Sequence, residues 1–484
     1  MFLQPAVVAV MMLLFPSGPE TENPWKVKVP AAVEEARSRK TVEAYQKAFD
    51  VAWRADDWVV GAKLADMALR EHPDDATLAG AAARAVWRAG QLERAEGLAA
   101  KIPPKTTDRI ALRTLIGVRL ARGELDAARD LAVRLQALPD QTAEDVNQIL
   151  TVRFTLNELK GINELLRKAE RLVNTDGGYP ESYIAEAIEG IGDFFDAVGT
   201  EPVNQIVAYG SAPMPPLVLL NLPSCDVMIN GHGPYRLVVD TGGSMMVSLD
   251  EAVAREVGLR SVASASIRGV SGKQPSGQAL IDELQIGTIR CGRVLTRVFG
   301  LRAATMGAAD GVIGTGIFGE GRMTLDFVGG QLVLEASQDK PAAGTAAPLR
   351  LIGDAKLVVP IKLEKKVGLA LLDTGADVVA MSPSRLERLF PGRKIQTFSP
   401  GVQIGVGAGE LPEISLTPGV ELVVVGRTYT DCGGLGLDVL DTILSPVLGV
   451  QLDVLIGMAT FRDMRSCTVD FPKCRMWIDW LERE

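Results

Sequence analysis

Two stretches of this 484-residue sequence set an aspartate at the end of an apolar run and follow it with a Thr-Gly turn. They are LVVDTGGSMMV, residues 237–247, and LLDTGADVVAM, residues 371–381. Asp240, Thr241 and Gly242 of the first match Asp373, Thr374 and Gly375 of the second. Two carboxylates brought within about 3 Å cannot both ionise cheaply, so one keeps a proton while the other stays charged. The charged member can take a proton from a water held between them, and the protonated member can donate to a peptide carbonyl. Glycine after the Asp-Thr lets backbone approach closely and offer N–H donors, and a buried threonine hydroxyl can tie one loop to the other. Such chemistry needs no nucleophilic side chain, metal or cofactor.

The acids sit in repeated surroundings. Each follows a strand, a turn and a second strand, in VMINGHGPYRLVVDTG and VVPIKLEKKVGLALLDTG. Each is followed by an apolar run closing on glycine, ADGVIGTGIF at 309–318 with Gly314 and LDVLIGMATF at 452–461 with Gly457. Strand pairs come next, RMTLDFVGGQLVLE from Arg322 and RSCTVDFPKCRMWID from Arg465. The copies lie 133 residues apart at the acids and 143 at the glycines, so the second has gained about ten residues between them. This is an internal duplication. Helices are expected after each acid loop, around DEAVAREVGL and SPSRLERLF.

Over about residues 215–480 the two copies resemble the lobes of aspartic proteases, particularly retropepsin-like bacterial members, with both lobes in one chain. The resemblance implies that the loops meet at a pseudo-twofold axis, with Asp240 and Asp373 as the catalytic pair. It further implies that Thr241, Gly242, Thr374 and Gly375 support the loops, and that Gly314 and Gly457 pass beneath them. The sequence departs from the family at Gly243, where Ser or Ala is usual, and after the late glycines, where Thr315-Gly316 and Met458-Ala459 replace the Arg and acidic or amide residue of retroviral enzymes. Glycine-rich stretches at 267–278 and 404–413 read as hairpin tips, and Val270, Ser271, Gly272, Val406 and Gly407 are the candidate flap residues. No tyrosine marks either hairpin as the flap.

Other chemistries are poorly supplied. The two histidines, His72 and His232, stand at a helix end and in a turn, which disfavours a Ser-His-Asp triad or a histidine-rich zinc site. Gly314 to Gly319 spells G-x-G-x-x-G, but the segment behind it has hairpin alternation where a dinucleotide fold requires a helix. The five cysteines lack metal-type spacing, and Cys467 and Cys474 flank a turn that leaves a disulfide open. A net charge of −9, with no basic patch, disfavours nucleic acid as a partner.

Ahead of the duplication, residues 5–15 form an apolar run of secretory-signal length, too short to span a bilayer, although no Lys or Arg precedes it. An extracytoplasmic protein follows as the expectation, with membrane contact only through such an anchor. From about Val33 to Gly199 the sequence is rich in alanine and leucine. GQLERAEGLA at Gly90 recurs as GELDAARDLA at Gly123, with a looser copy at Asp57, so that Ala62, Ala95 and Ala128 fall at one position. This resembles tetratricopeptide-type repeats and implies either a surface for a protein partner or a helical support for the lobes. Residues 200–216 and 336–348 read as connectors.

The expected fold is multidomain: an N-terminal all-α helical repeat, then an all-β bilobal aspartic-protease-like double barrel. The expected boundaries are 1–24 for the signal or anchor, 25–200 for the helices, 201–340 for the first lobe and 341–484 for the second. The expected activity is an aspartic endopeptidase acting on a polypeptide substrate; the rival is a catalytically inactive peptide- or protein-binding scaffold.

Overall fold

The computed structural model describes residues 23–482 apart from 174–177, 218–220, 245, 270–271, 303–304, 306, 354, 392–395, 399–413 and 417–418. The apolar run at 5–15 and the candidate flap residues Val270, Ser271, Val406 and Gly407 lie outside the described residues. The chain divides into a helical unit, built from Gly18–Gly192 with Leu444–Gln451, and a β-rich unit that holds Asp193–Ile443 and Leu452–Glu484.

In the helical unit, side-chain oxygens of Thr41, Asp57, Asp75, Asp108 and Thr142 cap the first turns of helices Val42–Arg54, Trp58–Glu71, Ala76–Arg88, Arg109–Ala121 and Ala143–Thr155. Helices end just before Pro73, Pro103 and Pro139, where the missing N–H and the ring forbid another turn. The repeated segments are helices Trp58–Glu71, Leu92–Ala99 and Leu125–Gln136. Their fourth residues, Gly61, Ala95 and Ala128, are all buried, whereas Ala62 is half-exposed. The first copy is thus shifted by one residue from the expected register, and Gly61 takes the close helix contact there, against Ala85. Gln451, in the short excursion that belongs to this unit, donates its N–H to the Arg88 carbonyl at 2.8 Å. No helix of the described residues is long and apolar enough to cross a membrane.

Among the described residues the β-rich unit holds three sheets. In the first, strands Val247–Asp250, Gly311–Gly314, His232–Asp240 and Ser224–Ile229 lie side by side in that order. Gly272–Ile286 and Ile289–Phe299 continue the sheet on either side and also pair with each other, which closes it into a ring. The second sheet repeats the central order with Val379–Met381, Val454–Ile456, Lys366–Leu372 and Lys356–Leu363. The senses match too: each acid-bearing strand runs parallel to the strand that ends at the late glycine, and the strand after the acid loop runs antiparallel to it.

Six strands drawn from both copies make the third sheet. Its centre is the antiparallel pair Gly321–Asp326 and Met464–Asp470, in which Thr324 stands opposite Thr468. These threonines are equivalent, from TLDF in one copy and TVDF in the other, so a local twofold axis passes between them. Short strands Gly210–Pro213 and Thr345–Ala347 form the edges. Segments 200–216 and 336–348 are therefore only partly connectors. One continuous apolar core runs from Val239 and Ile313 through Met323 and Val469 to Leu372 and Ile456.

The helices expected after the acid loops are Glu251–Glu256 and Pro383–Leu389, capped by Asp250 and Ser382. Behind Gly314 the chain makes one short 3₁₀ segment, Thr315–Phe318, and then the hairpin of Gly321–Asp326 with Gln331–Ala336, with no dinucleotide-type helix. None of the five cysteines forms a disulfide, and Cys467 pairs in register with Ile478 and not with Cys474.

Candidate active site

Each acid is delivered by a strand whose preceding residues are wholly buried: Leu237, Val238 and Val239 before Asp240, and Ala370, Leu371 and Leu372 before Asp373. Burial on both faces fixes the register, because a one-residue slip would turn each acid away. Asp240 pairs in parallel register with Gly314, and the Asp373 N–H donates to the Ile456 carbonyl at 2.9 Å. The late glycines pass so close beneath the loops that a Cβ on Gly314 would lie 1.7 Å from the Ser244 carbonyl oxygen. One on Gly457 would lie 2.4 Å from the Val378 oxygen and 2.5 Å from that of Ala376.

The threonines lock the loops together with near-perfect symmetry. Thr241 N–H donates to Thr374 Oγ1, and Thr374 N–H to Thr241 Oγ1, both at 3.0 Å. The Thr241 hydroxyl donates to the Leu372 carbonyl at 2.8 Å and the Thr374 hydroxyl to that of Val239 at 2.7 Å. All four bonds are buried, where an unmade bond would be costly.

The acids face each other across this lock. Asp240 Oδ1 accepts from Gly242 N–H and Asp373 Oδ1 from Gly375 N–H, each at 2.8 Å, while Oδ2 of each acid is buried without a hydrogen-bond partner among the described residues. Gly242 and Gly375 each press on the opposite acid: a Cβ on Gly242 would sit 2.4 Å from Asp373 Cγ, and one on Gly375 2.5 Å from Asp240 Cγ. Both aspartates are 0 % exposed. Burial raises the pKa of each carboxyl above the ordinary carboxylate value. Asp373 is pushed up further by the negative charge of the neighbouring Asp240, so the pair retains a proton at pH values where an isolated aspartate has lost it.

The sites named from the sequence are thus brought together as two mirrored loops: Asp240, Thr241, Gly242 and Gly314 on one side, Asp373, Thr374, Gly375 and Gly457 on the other. Gly272 opens the long strand Gly272–Ile286 and pairs with Gly269, which makes a hairpin of the first glycine-rich stretch. His72 belongs to the helical unit, where its ring bonds the Lys40 carbonyl at 2.7 Å, and His232 is exposed. No cluster of metal-ligating side chains occurs among the described residues.

One residue of the site escaped the sequence reading. Lys356 is buried, and its ammonium donates to the carbonyl of Gly243, in the first acid loop. Its positive charge favours the ionised form of both aspartates.

Among proteins of known family, residues 225–319 match the family described as aspartyl protease, a stretch that holds Asp240 and Gly314. No curated protein matches the chain. Among solved structures, it is similar to a retropepsin-like aspartic protease from Rickettsia conorii, with 15 % identity, 26 % of this chain and 84 % of that chain covered, and a TM-score of 0.19. It is also similar to the retroviral protease-like domain of Ddi1 from Leishmania major, with 17 % identity, coverage of 26 % and 94 %, and a TM-score of 0.18. At such scores these likenesses carry no functional argument, and the family match stands on the first copy. The chain carries an aspartic-protease-like domain.

Proposed function

We propose that the chain is an aspartic endopeptidase that hydrolyses peptide bonds with water activated between Asp240 and Asp373. The observation that carries this reading is the pair of buried acids on two equivalent loops, each carboxyl held by its own glycine N–H and the loops joined by reciprocal threonine bonds. In this reading the charged member of the pair accepts a proton from the attacking water. The protonated member donates to the carbonyl oxygen of the scissile bond, so charge develops where a hydrogen-bond donor already waits. The glycine N–H groups and the threonine lock hold both carboxyls in place through the change of charge.

The two copies act as the two lobes of one enzyme and supply one acid each. Because both acids are without exposure, a substrate reaches them only when covering segments move, and an extended polypeptide held by strand-like hydrogen bonds is the substrate class. The helical unit is read as a tetratricopeptide-like stack that presents a surface to a protein partner, and the apolar run at 5–15 as a signal or anchor for an extracytoplasmic protein.

The test is cleavage of an unstructured protein mixture from pH 4 to 8, read by mass spectrometry, for the wild-type chain and for Asp373→Asn. Cleavage by the wild type and none by the variant is the expected result. Absence of cleavage by a folded wild-type chain at every pH would favour a noncatalytic peptide-binding scaffold.

A further inference from the structure

Lysine is almost never fully buried unless its charge is engaged, yet Lys356 is only 1 % exposed. It opens strand Lys356–Leu363 of the second copy and reaches across to the first, where its Nζ donates to the Gly243 carbonyl. Gly243 itself donates its N–H to the Asp240 carbonyl at 3.2 Å, so the ammonium is one bond removed from the first acid's backbone.

The hairpin register gives the position meaning. Val358 pairs with Leu371, and two further residues along the same register set Lys356 level with Asp373. In the first copy Ser224 pairs with Val238, so the place level with Asp240 falls to Leu222, which is buried and apolar. The copies match at acid, threonine and glycine but differ here: the second copy places a lysine where the first has a leucine. The charged groups that act most strongly on the pair among the described residues are the acids themselves and Lys356, while Asp377, four residues past Asp373, is engaged by Arg462.

We propose that Lys356 is a positioning residue of the acid pair, whose ammonium ties the Gly243 turn to the second lobe and sets the pH window in which the pair holds a single proton. The inference deepens the endopeptidase reading and rests on it for its kinetic consequence. A buried cation stabilises every state in which the pair carries more negative charge, so it lowers both of the pair's titration steps and offsets the upward push of burial. Its removal moves both steps to higher pH.

The experiment measures kcat/KM against pH for the wild type, Lys356→Gln and Lys356→Arg, together with the titration of the two aspartates by carbon-13 carboxyl NMR, assigned with Asp240→Asn and Asp373→Asn. Gln keeps a hydrogen-bond donor for Gly243 without the charge. Lys356→Met, which supplies an apolar side chain as Leu222 does in the first copy, is the second neutral variant should Gln not fold. In a neutral variant both limbs of the profile and both NMR steps should rise by about one pH unit or more, and Arg should return them toward wild type. A folded neutral variant that loses rate with its limbs and NMR steps unmoved would overturn the proposal and leave Lys356 a packing role. If the wild type cleaves nothing, the endopeptidase reading fails, while the NMR steps still decide whether Lys356 governs the pair.

Discussion

The hydroxyls of Thr324 and Thr468 meet 2.9 Å apart, and the two threonines are the same residue of two copies of one sequence. Equivalent residues can stand opposite each other only where the operation relating the copies passes between them. The lock between Thr241 and Thr374 likewise pairs equivalent residues of the two copies, so the sheet shared by the copies and the paired acids show the same reciprocal relation.

The Thr324 contact should be measurable as a coupling. In a double-mutant cycle with Thr324→Val and Thr468→Val, urea unfolding of the β-rich unit should give an interaction energy of about 0.5–1 kcal/mol. Strictly additive losses would show that the hydroxyls meet without supporting each other.

A larger effect is expected at the lock. Thr374→Val removes the acceptor of the Thr241 N–H and the donor to the Val239 carbonyl, leaving both buried groups without these bonds. A destabilisation of about 2–4 kcal/mol is expected in chemical unfolding, with activity lost alongside it, and Thr241→Val should cost about the same.

The acids themselves should oppose stability. Burial raises their pKa in the folded chain above the ordinary value of 3.8, so their favourable contribution is complete below that value and is lost as pH climbs through the raised folded pKa. Asp373→Asn removes the loss. The melting temperature of the variant should match that of the wild type near pH 4 and exceed it by about 2 °C or more at pH 8, a gain in stability bought with function. A difference independent of pH would place its origin elsewhere.

Much of this arrangement was legible in the sequence because it is local or repeated. An apolar strand ending in Asp-Thr-Gly identifies itself, and its second occurrence with matched flanks pointed to the pairing before any contact was visible. The edge strands Gly210–Pro213 and Thr345–Ala347 were not legible: GSAP and TAA are too short and too small in side chain to show alternation, and only backbone bonds to a neighbour make them strands. Lys356 was hidden for a different reason. In GDAKLVVP it looks like an ordinary charge at the mouth of a strand, and its partner lies 113 residues away in the other copy. The one-residue shift at Gly61 arose because glycine and alanine both satisfy a close helix contact, so the smallness of Ala62 gave no register.

Gly375→Ala tests whether the carboxyls depend on their close approach. The added methyl would be 2.5 Å from Asp240 Cγ and must push that carboxyl away. A displacement of about 1 Å should lower kcat/KM by about 100-fold while the helical unit keeps its own unfolding transition. Activity near that of the wild type would mean that the pair tolerates separation.

The most direct measurement of the central claim is kcat/KM at the optimum pH for Asp240→Asn, Asp373→Asn and the double variant. If the acids work as one unit sharing a proton, each single change should cost about 1,000-fold or more, and the double should be no slower than either. A single variant that keeps most of its activity, or losses that multiply in the double, would contradict the shared-proton account.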